Sequence, residues 1–339
     1  MRPSGAFLTG AAILAAAAVI SALQVTRVAL DPTVYRLMVL AGVNVTLAVS
    51  LNMVNGFTGQ FSLGHAAFMG IGVYTTVFLV DRWGPAVYAA IPGPAGFRQV
   101  AVLLLLAVVG GAVAAAGGLL VGLPSLRLRG DYLAIVTLGF GEILRVFIQN
   151  VEVLGASRGY NITHTEVTPP TDALFFWVAA LALAAVMVSR NLMMSGPGRA
   201  FLAVREDEIA AEAVGVNAYR AKVLAFVISA AFAGMAGVLS VTYNTYADPS
   251  IQSIGFLKSI EVVLMVVLGG LGSVSGAVMC AGIITVLPEL LRSIDQYRMV
   301  VYSLMLILLM LGRPQGIFGT RELSWDRLRR RKAASTPRQ

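Results

Sequence analysis

Charged residues and cysteine are scarce in this sequence of 339 residues. Charged side chains make up 12% of the chain, about half of the share that a soluble domain carries, while hydrophobic residues make up 58%. The single cysteine, Cys280, excludes an internal disulfide. The two histidines, His65 and His164, lie too far apart in the sequence to suggest a metal centre. These shortages argue against a soluble domain, a disulfide-stabilised domain and a metal site.

Motifs for metal-dependent hydrolysis and nucleotide binding are also missing. The sequence has no His-Glu-x-x-His helix and no zinc-binding cysteine pattern. Its only lysines, Lys222, Lys258 and Lys332, do not follow the Gly-x-x-x-x-Gly spacing of a phosphate-binding loop. We therefore expect that the chain is not an enzyme and binds no cofactor. If ATP drives it, another chain hydrolyses the ATP.

The sequence instead contains a series of long apolar runs. A helix that crosses a bilayer needs about 20 mostly apolar residues, and such runs lack the alternation of a membrane barrel. The fold class is therefore predicted to be an all-α polytopic membrane protein with about ten transmembrane helices. The predicted spans are 1–25, 33–54, 65–80, 99–123, 132–148, 173–188, 221–243, 254–268, 277–291 and 297–311. A cleaved signal peptide is the alternative for the first run, and three prolines predict an external loop over 81–98.

A basic tail determines the predicted orientation. Residues 321–339 are predicted to be a disordered cytoplasmic tail, separate from a transmembrane domain over 1–320. Its cluster of Arg327, Arg329, Arg330, Arg331 and Lys332 suits anionic membrane lipid and not nucleic acid. Because ten crossings return the chain to its starting side, both termini are predicted to be cytoplasmic.

One charged stretch, 198–217, interrupts the apolar runs. Ile209, Ala213 and Val216 have the spacing of one helix face, and Glu208 and Glu212 fall on another. This pattern predicts a short amphipathic helix within a loop at about 195–220, on the same side as the tail. We interpret the helix as a docking element for a soluble partner. The alternative is a loop that is charged only because water surrounds it.

Two pairs of opposite charges fall within predicted spans. Glu142 and Arg145, like Lys258 and Glu261, have i, i+3 spacing. Intramembrane charges usually face a protein interior or a watery path, so all four are candidates for a translocation path. The same spacing also allows each pair to neutralise itself within one helix, and this alternative stays open.

Two segments rich in glycine and serine, 56–64 and 269–276, separate apolar runs. Such segments permit close helix approach or broken helices that line a cavity, although plain tight turns are equally possible. The candidate hinge residues are Gly56, Gly59, Gly64, Gly269, Gly270, Gly272 and Gly276. Asn52, Gln60 and His65 add polar groups that either contact substrate or satisfy the backbone of a turn.

Five segments together resemble the branched-chain amino acid permease family of ABC importers. The first, 51–68, reads LNMVNGFTGQFSLGHAAF, and the second, 126–138, reads LRLRGDYLAIVTL and resembles the M-type permease subunit. The others are 198–217, 269–276 and 316–319. The matches follow the family's order along nearly the whole chain.

This resemblance implies a permease subunit for branched-chain or related small amino acids in a bacterial inner membrane. It implies a second homologous permease, two cytoplasmic ATPases that bind ATP and Mg, and a periplasmic or lipid-anchored substrate-binding protein. Urea, amides or other small acids are alternative substrates. A self-sufficient ion-coupled transporter that uses Glu142 and Glu261 is the alternative function.

The resemblance also assigns the charged stretch to ATPase coupling. The implied coupling residues are Arg199, Arg205, Glu206, Asp207, Glu208, Ala210, Ala211, Glu212 and Gly215. The importer motif Glu-Ala-Ala-x-x-x-Gly aligns with Ala210, Ala211 and Gly215, but Ile209 stands at its glutamate position. The choice between Glu208 and Glu212 as the acidic contact therefore stays open.

Overall fold

The computed structural model describes residues 31–126 and 132–291, with 300, 301, 303, 304, 307 and 316. The predicted first span, the tail, and most of the last predicted span lie outside the described residues. Predictions about those parts of the chain therefore remain predictions.

Helices make up most of the described chain. Their bounds are α1 (Pro32–Asn52), α2 (His65–Ala90), α3 (Ala95–Ser125), α4 (Tyr132–Asn150), α5 (Leu174–Met194), α6 (Gly196–Glu206), α7 (Glu208–Ala213), α8 (Ala218–Asn244), α9 (Phe256–Gly269) and α10 (Val274–Leu290). A π-helical turn, Met53–Phe57, continues α1. Strand β1 (Tyr160–Asn161) pairs antiparallel with β2 (Tyr246–Ala247).

Five described segments are long and apolar enough to cross a membrane. They are Pro32–Phe57, Ala95–Ser125, Tyr132–Asn150, Thr165–Met194 and Ala218–Asn244. These segments and the high helix content confirm an all-α, multi-pass membrane protein. The count of ten spans stays a prediction. Helix α9, with 14 residues, covers about 21 Å at 1.5 Å per residue, which is less than a hydrocarbon core of about 30 Å.

The predicted external loop over 81–98 is wrong. Helix α2 continues to Ala90 with Pro85 inside it, and only residues 91–94 separate it from α3. A proline inside a helix removes a backbone hydrogen bond. Here the end of the helix packs against the segment between α4 and α5, because Val80 and Val167 are buried and Gly84 lies against Val167. Tertiary packing therefore outweighs the local signal of the prolines.

The connections gather at two opposite ends of the helices. At one end, β1 pairs with β2, and the Tyr35 hydroxyl donates to Asp172 O at 2.6 Å. At the other end lie the π-helical turn, α6, α7 and the turn between α9 and α10, which we call the α6–α7 face. The Tyr219 hydroxyl donates to Leu123 O at this face, at 2.8 Å. This alternation of ends is what consecutive membrane crossings produce.

The core is built around α1, α2, α3 and α8. In the most apolar stretches of the spans that contain α1 and α8, 67% of the residues are buried. In the corresponding stretch of α4, only 28% are buried. Small residues let α2 and α8 approach closely, as is common between membrane helices. A Cβ atom at Gly72 would lie 2.0 Å from Gly234 O, and one at Gly237 would lie 2.1 Å from Met69 O. The backbones of α2 and α8 are therefore nearly in contact.

Candidate functional site

The charged stretch forms two helices instead of the single predicted helix. Ser195 begins α6, because its hydroxyl accepts a hydrogen bond from Gly198 N at 3.4 Å. Asp207 breaks the stretch and caps α7: its carboxylate accepts from Ile209 N at 2.8 Å and from Ala210 N at 3.0 Å. Asn217 begins α8 in the same way. Side-chain caps of this kind make the boundaries of both helices a local property of the sequence.

The apolar side of α7 faces outward. Ile209 is 67% exposed and Val214 is 78% exposed, although apolar residues on a surface helix normally face the core. Glu208 lies on the inner side, where its carboxylate accepts from Lys222 Nζ at 2.7 Å. Lys222 itself is buried in α8. The ion pair therefore fixes α7 on α8 and turns an apolar surface to the outside.

The remaining predicted coupling residues divide by exposure. Arg199, Glu206, Asp207, Ala210, Glu212 and Gly215 are exposed, whereas Ala211 is buried. Gly215 has a φ of 87°, a left-handed conformation that favours glycine, and it ends the turn after α7. Glu212 and Glu208 thus occupy different surroundings: Glu212 is open to a partner, and Glu208 is held by Lys222.

Arg205 points away from the exposed surface of α7. Its guanidinium Nη1 donates to Gly56 O at 2.8 Å, and its aliphatic stem covers Gly59. Beside it, Gly272 N donates to the Asn52 carboxamide oxygen at 2.9 Å. The structure therefore brings together the charged stretch 198–217 and both glycine-rich segments at one point.

Most of the predicted hinge glycines lie where two backbones meet. A Cβ atom at Gly64 would lie 2.2 Å from Thr137 O, and one at Gly276 would lie 2.0 Å from Gly269 O. Gly270, with a φ of 104°, ends α9. At these positions a side chain would collide with the backbone of another segment, so glycine is required by the close approach of the two backbones as well as by the geometry of the turns.

Buried polar side chains surround the break between α1 and α2. His65 Nε2 lies 2.9 Å from the Ser50 hydroxyl, and His65 is 2% exposed. Asn52 Nδ2, Asn55 Nδ2 and Gln60 Oε1 are buried without a hydrogen-bond partner. Such atoms are rare in a protein interior and call for a water or a ligand group. Asn52, Gln60 and His65 are thus all buried polar side chains close in sequence to the break between α1 and α2.

Glu142 joins two helices. One carboxylate oxygen accepts from Arg145 Nε at 2.8 Å, and the other accepts from Phe256 N at 2.9 Å, at the start of α9. Glu142 lies eight residues before the end of α4 at Asn150, or about 12 Å along the helix. Helix α9 therefore begins beside the middle of α4, with a carboxylate from α4 at its positive end.

Lys258 and Glu261, within the predicted span 254–268, form the second charged pair, at 3.1 Å. Lys258 Nζ also donates to the Asn44 carboxamide oxygen at 3.0 Å, and Asn44 Nδ2 donates to the Thr285 hydroxyl at 2.8 Å. The side chain of Lys258 is 14% exposed and that of Glu261 is 34% exposed. This network connects α1, α9 and α10 and leaves one side of Glu261 open.

Several of these partners are not recognisable from the sequence alone. Lys222 was recognisable as a lysine near the start of an apolar run, but its partner Glu208 lies 14 residues away. Asn44 and Ser50 carried no signal, because single polar residues are common in membrane helices. Across residues 31–126 and 132–291, no group of three or more His, Cys, Asp or Glu side chains is placed to bind a metal.

Comparison with known proteins places the chain among transport proteins. The family model described as branched-chain amino acid transport system / permease component matches residues 33–311. The high-affinity branched-chain amino acid transport system permease protein LivM of Escherichia coli (strain K12) is 34% identical over 302 residues, which is 80% of this chain and 67% of that protein.

Two further relatives extend the similarity. The permease protein LivH of the same organism is 28% identical over 296 residues, or 82% of this chain and 91% of that protein. The probable branched-chain amino acid transport permease protein LivM of Methanocaldococcus jannaschii is 22% identical over 317 residues, or 81% of this chain and 90% of that protein. No solved structure matches the chain.

Proposed function

The chain belongs to the branched-chain amino acid transport permease family, and from this premise we propose that it is one transmembrane permease subunit of an ATP-driven importer. Its similarity to LivM proteins supports the M-type subunit. A second, LivH-like permease completes the translocation path, since relatives of both types match the chain. The transported molecules are branched-chain or related small amino acids.

The energy comes from other subunits in this proposal. Two cytoplasmic ATPases bind ATP and Mg, and a periplasmic or lipid-anchored protein delivers the substrate. The chain lies in a bacterial inner membrane with the α6–α7 face and both termini in the cytoplasm. The basic residues after 325 support this orientation, because positive charge concentrates on the cytoplasmic side.

The observation that carries the proposal is the exposed surface of α7, which we call the docking patch. It consists of Ile209, Ala210, Ala213 and Val214, with Glu206 and Glu212 at its edge. An exposed apolar helix face with a polar rim is typical of a helix that lies in a groove of a partner. Because Glu208 is bound to Lys222, Glu212 is the acid that we assign to the ATPase contact.

The coupling loop can transmit force because it is attached to the membrane helices. The Glu208–Lys222 pair connects α7 with α8, and buried Phe201 and Val204 attach α6 to the core. ATP-driven closure of the ATPases would displace the loop and with it the helices, which opens the path alternately to each side. For the path itself, Lys258 and Glu261 are favoured over Glu142 and Arg145, because Glu142 is engaged in capping α9.

The proposal is tested by amino-acid uptake into proteoliposomes. We expect uptake of labelled leucine only when both permeases, the ATPases, ATP and the substrate-binding protein are present. Uptake by this chain alone under a proton gradient would instead establish the ion-coupled alternative. Glu142 and Glu261 give that alternative little support, since each carboxylate forms an ion pair within its own helix.

Val214→Asp should weaken ATPase binding by about 30-fold, because a central interface residue contributes about 2 kcal/mol and the new carboxylate would be buried in the groove. The measurement is the fraction of ATPase that co-purifies with the permease pair in detergent. Val153→Asp is the matched control, since Val153 is 70% exposed but lies in the loop at the opposite end. Equal co-purification with both variants would contradict the docking patch.

A further inference from the structure

Arg205 connects the coupling segment with the end of α1. It lies in the last turn of α6, and its Nη1 donates to Gly56 O at 2.8 Å. Gly56 belongs to the π-helical turn Met53–Phe57, a rare geometry that occurs frequently at functional sites. The charged donor is therefore bound to the backbone of the one described helix that ends in such a turn.

The same guanidinium also contacts the turn between α9 and α10. A Cβ atom at Gly272 would lie 2.7 Å from Arg205 Nη1, so the side chain passes directly over this residue. Gly272 is fixed to α1 as well, because its N–H donates to Asn52 Oδ1. A Cβ atom at Gly56 would lie 2.4 Å from Gly272 N, so the backbones of the two segments are nearly in contact. Arg205 thus meets α1 and the α9–α10 turn as one unit.

The contact of Arg205 with Gly56 and Gly272, which we call the joint, is separated from the docking patch by only a short piece of helical chain. Helix α7 follows α6 after the single residue Asp207, and α6 is fixed by buried Phe201 and Val204. A cavity of about 530 Å³ borders the Arg205 contact, and its lining includes Met193, Leu202, Arg205 and Leu271. The α6–α7 segment therefore has open space beside it, while Arg205 holds it to the backbone at Gly56.

We infer that Arg205 is the positioning residue that carries displacement of the α6–α7 segment to the end of α1 and to the α9–α10 turn. This inference rests on the proposed function. Helix α1 then moves together with α9, which bears Lys258 and Glu261. Arg205 itself contacts neither the ATPase nor the substrate, which separates its role from that of Glu212 in the docking patch.

The experiment compares Arg205→Gln with Arg220→Gln in the reconstituted importer. Both variants remove one positive charge at the same face, but Arg220 is exposed at the start of α8 and away from the joint. ATPase co-purification, ATP hydrolysis and leucine uptake are measured on the same preparations. Couplings between sites amount to about 5-fold to 150-fold. We therefore expect at least a fivefold drop in leucine transported per ATP hydrolysed for Arg205→Gln, with ATPase binding and hydrolysis retained.

Arg205→Lys provides a second variant that keeps the charge and the stem across Gly59. A lysine ammonium lacks the planar fork of arginine, so its transport per ATP should lie between those of the wild type and Arg205→Gln. If the glutamine variant fails to assemble, an unchanged ratio for Arg205→Lys overturns the inference.

Other outcomes separate the two proposals. Unchanged transport per ATP in Arg205→Gln overturns the role of Arg205 and leaves the importer assignment intact. Loss of the ATPase from that variant places Arg205 in the docking interface and also overturns the inference. If the ATPase does not bind the wild type, both proposals fail.

Discussion

Replacing Gly72 with alanine is expected to destabilise the membrane core by about 3 kcal/mol or more. The added Cβ would lie 2.0 Å from Gly234 O and 2.6 Å from Gly234 C, so backbone atoms and not a flexible side chain would have to move. Gly237 of α8 is equally close to Met69 O of α2, so the crossing has no spare room along its length to take up the added atom. Helices α2 and α8 would therefore separate along their crossing.

Gly139→Ala is the matched control for this prediction. Gly139 also lies inside a membrane helix, α4, but a Cβ atom there meets nothing within 4 Å. Alanine at this position should raise stability by up to about 1 kcal/mol, because glycine is the poorer helix former. Thermal unfolding of the purified chain in detergent measures both effects, and they should have opposite signs. Equal melting temperatures for the two variants would rule out the close crossing.

Removing the carboxylate of Glu142 should lower stability by about 3 kcal/mol, because the change leaves the largely buried Arg145 guanidinium without its anionic partner and with the neutral Gln149 carboxamide as an acceptor. Glu142→Gln is nearly isosteric and keeps one acceptor for Phe256 N, so the loss comes mainly from the missing charge. Because the side chain of Arg145 is 18% exposed and that of Glu142 is 31% exposed, water reaches part of the ion pair. The expected loss of stability therefore lies at the lower end of the range measured when buried ion pairs are broken.

The double variant Glu142→Gln/Arg145→Gln distinguishes pairing from a role in transport. If the pair is structural, removing both charges should restore most of the stability and most of the transport, since no unpaired charge remains. Unfolding temperature and leucine uptake are measured for Glu142→Gln, for Arg145→Gln and for the double variant. A stable double variant without uptake would show that Glu142 acts in the path and would contradict the structural role.

The glycine-rich turns can be recognised in the sequence, but the close crossing of α2 and α8 at Gly72 cannot be predicted from it. The segments 56–64 and 269–276 interrupt apolar runs, and an interruption is visible in one sequence. Gly72 and Gly234 instead lie inside apolar runs, where glycine is frequent for many reasons. Only the crossing of two helices that are distant in sequence shows that neither position has room for a side chain.

The charged pairs also show which contacts can be predicted from sequence spacing and which require the folded structure. The i, i+3 spacing of Glu142 and Arg145 predicts their contact, because that distance is set by the helix itself. The second oxygen of Glu142 contacts Phe256 N, 114 positions away, and nothing in the spacing indicates it. Likewise, the composition of 198–217 predicts a charged helix. Whether Ile209 faces the core or the outside depends on the ion pair between Lys222 and Glu208, which turns Glu208 inward and Ile209 outward.

The sequence by itself therefore determined the class and the family of this protein. Long apolar runs with few charges require helices in a bilayer, because every backbone polar group there must be satisfied within the segment. The tertiary structure decided that Glu208 of the charged stretch pairs with Lys222 while Glu212 is exposed, where α9 begins and what Arg205 contacts. These features depend on pairs of residues that are far apart in the chain, and the free energy of such contacts exists only once the helices have packed.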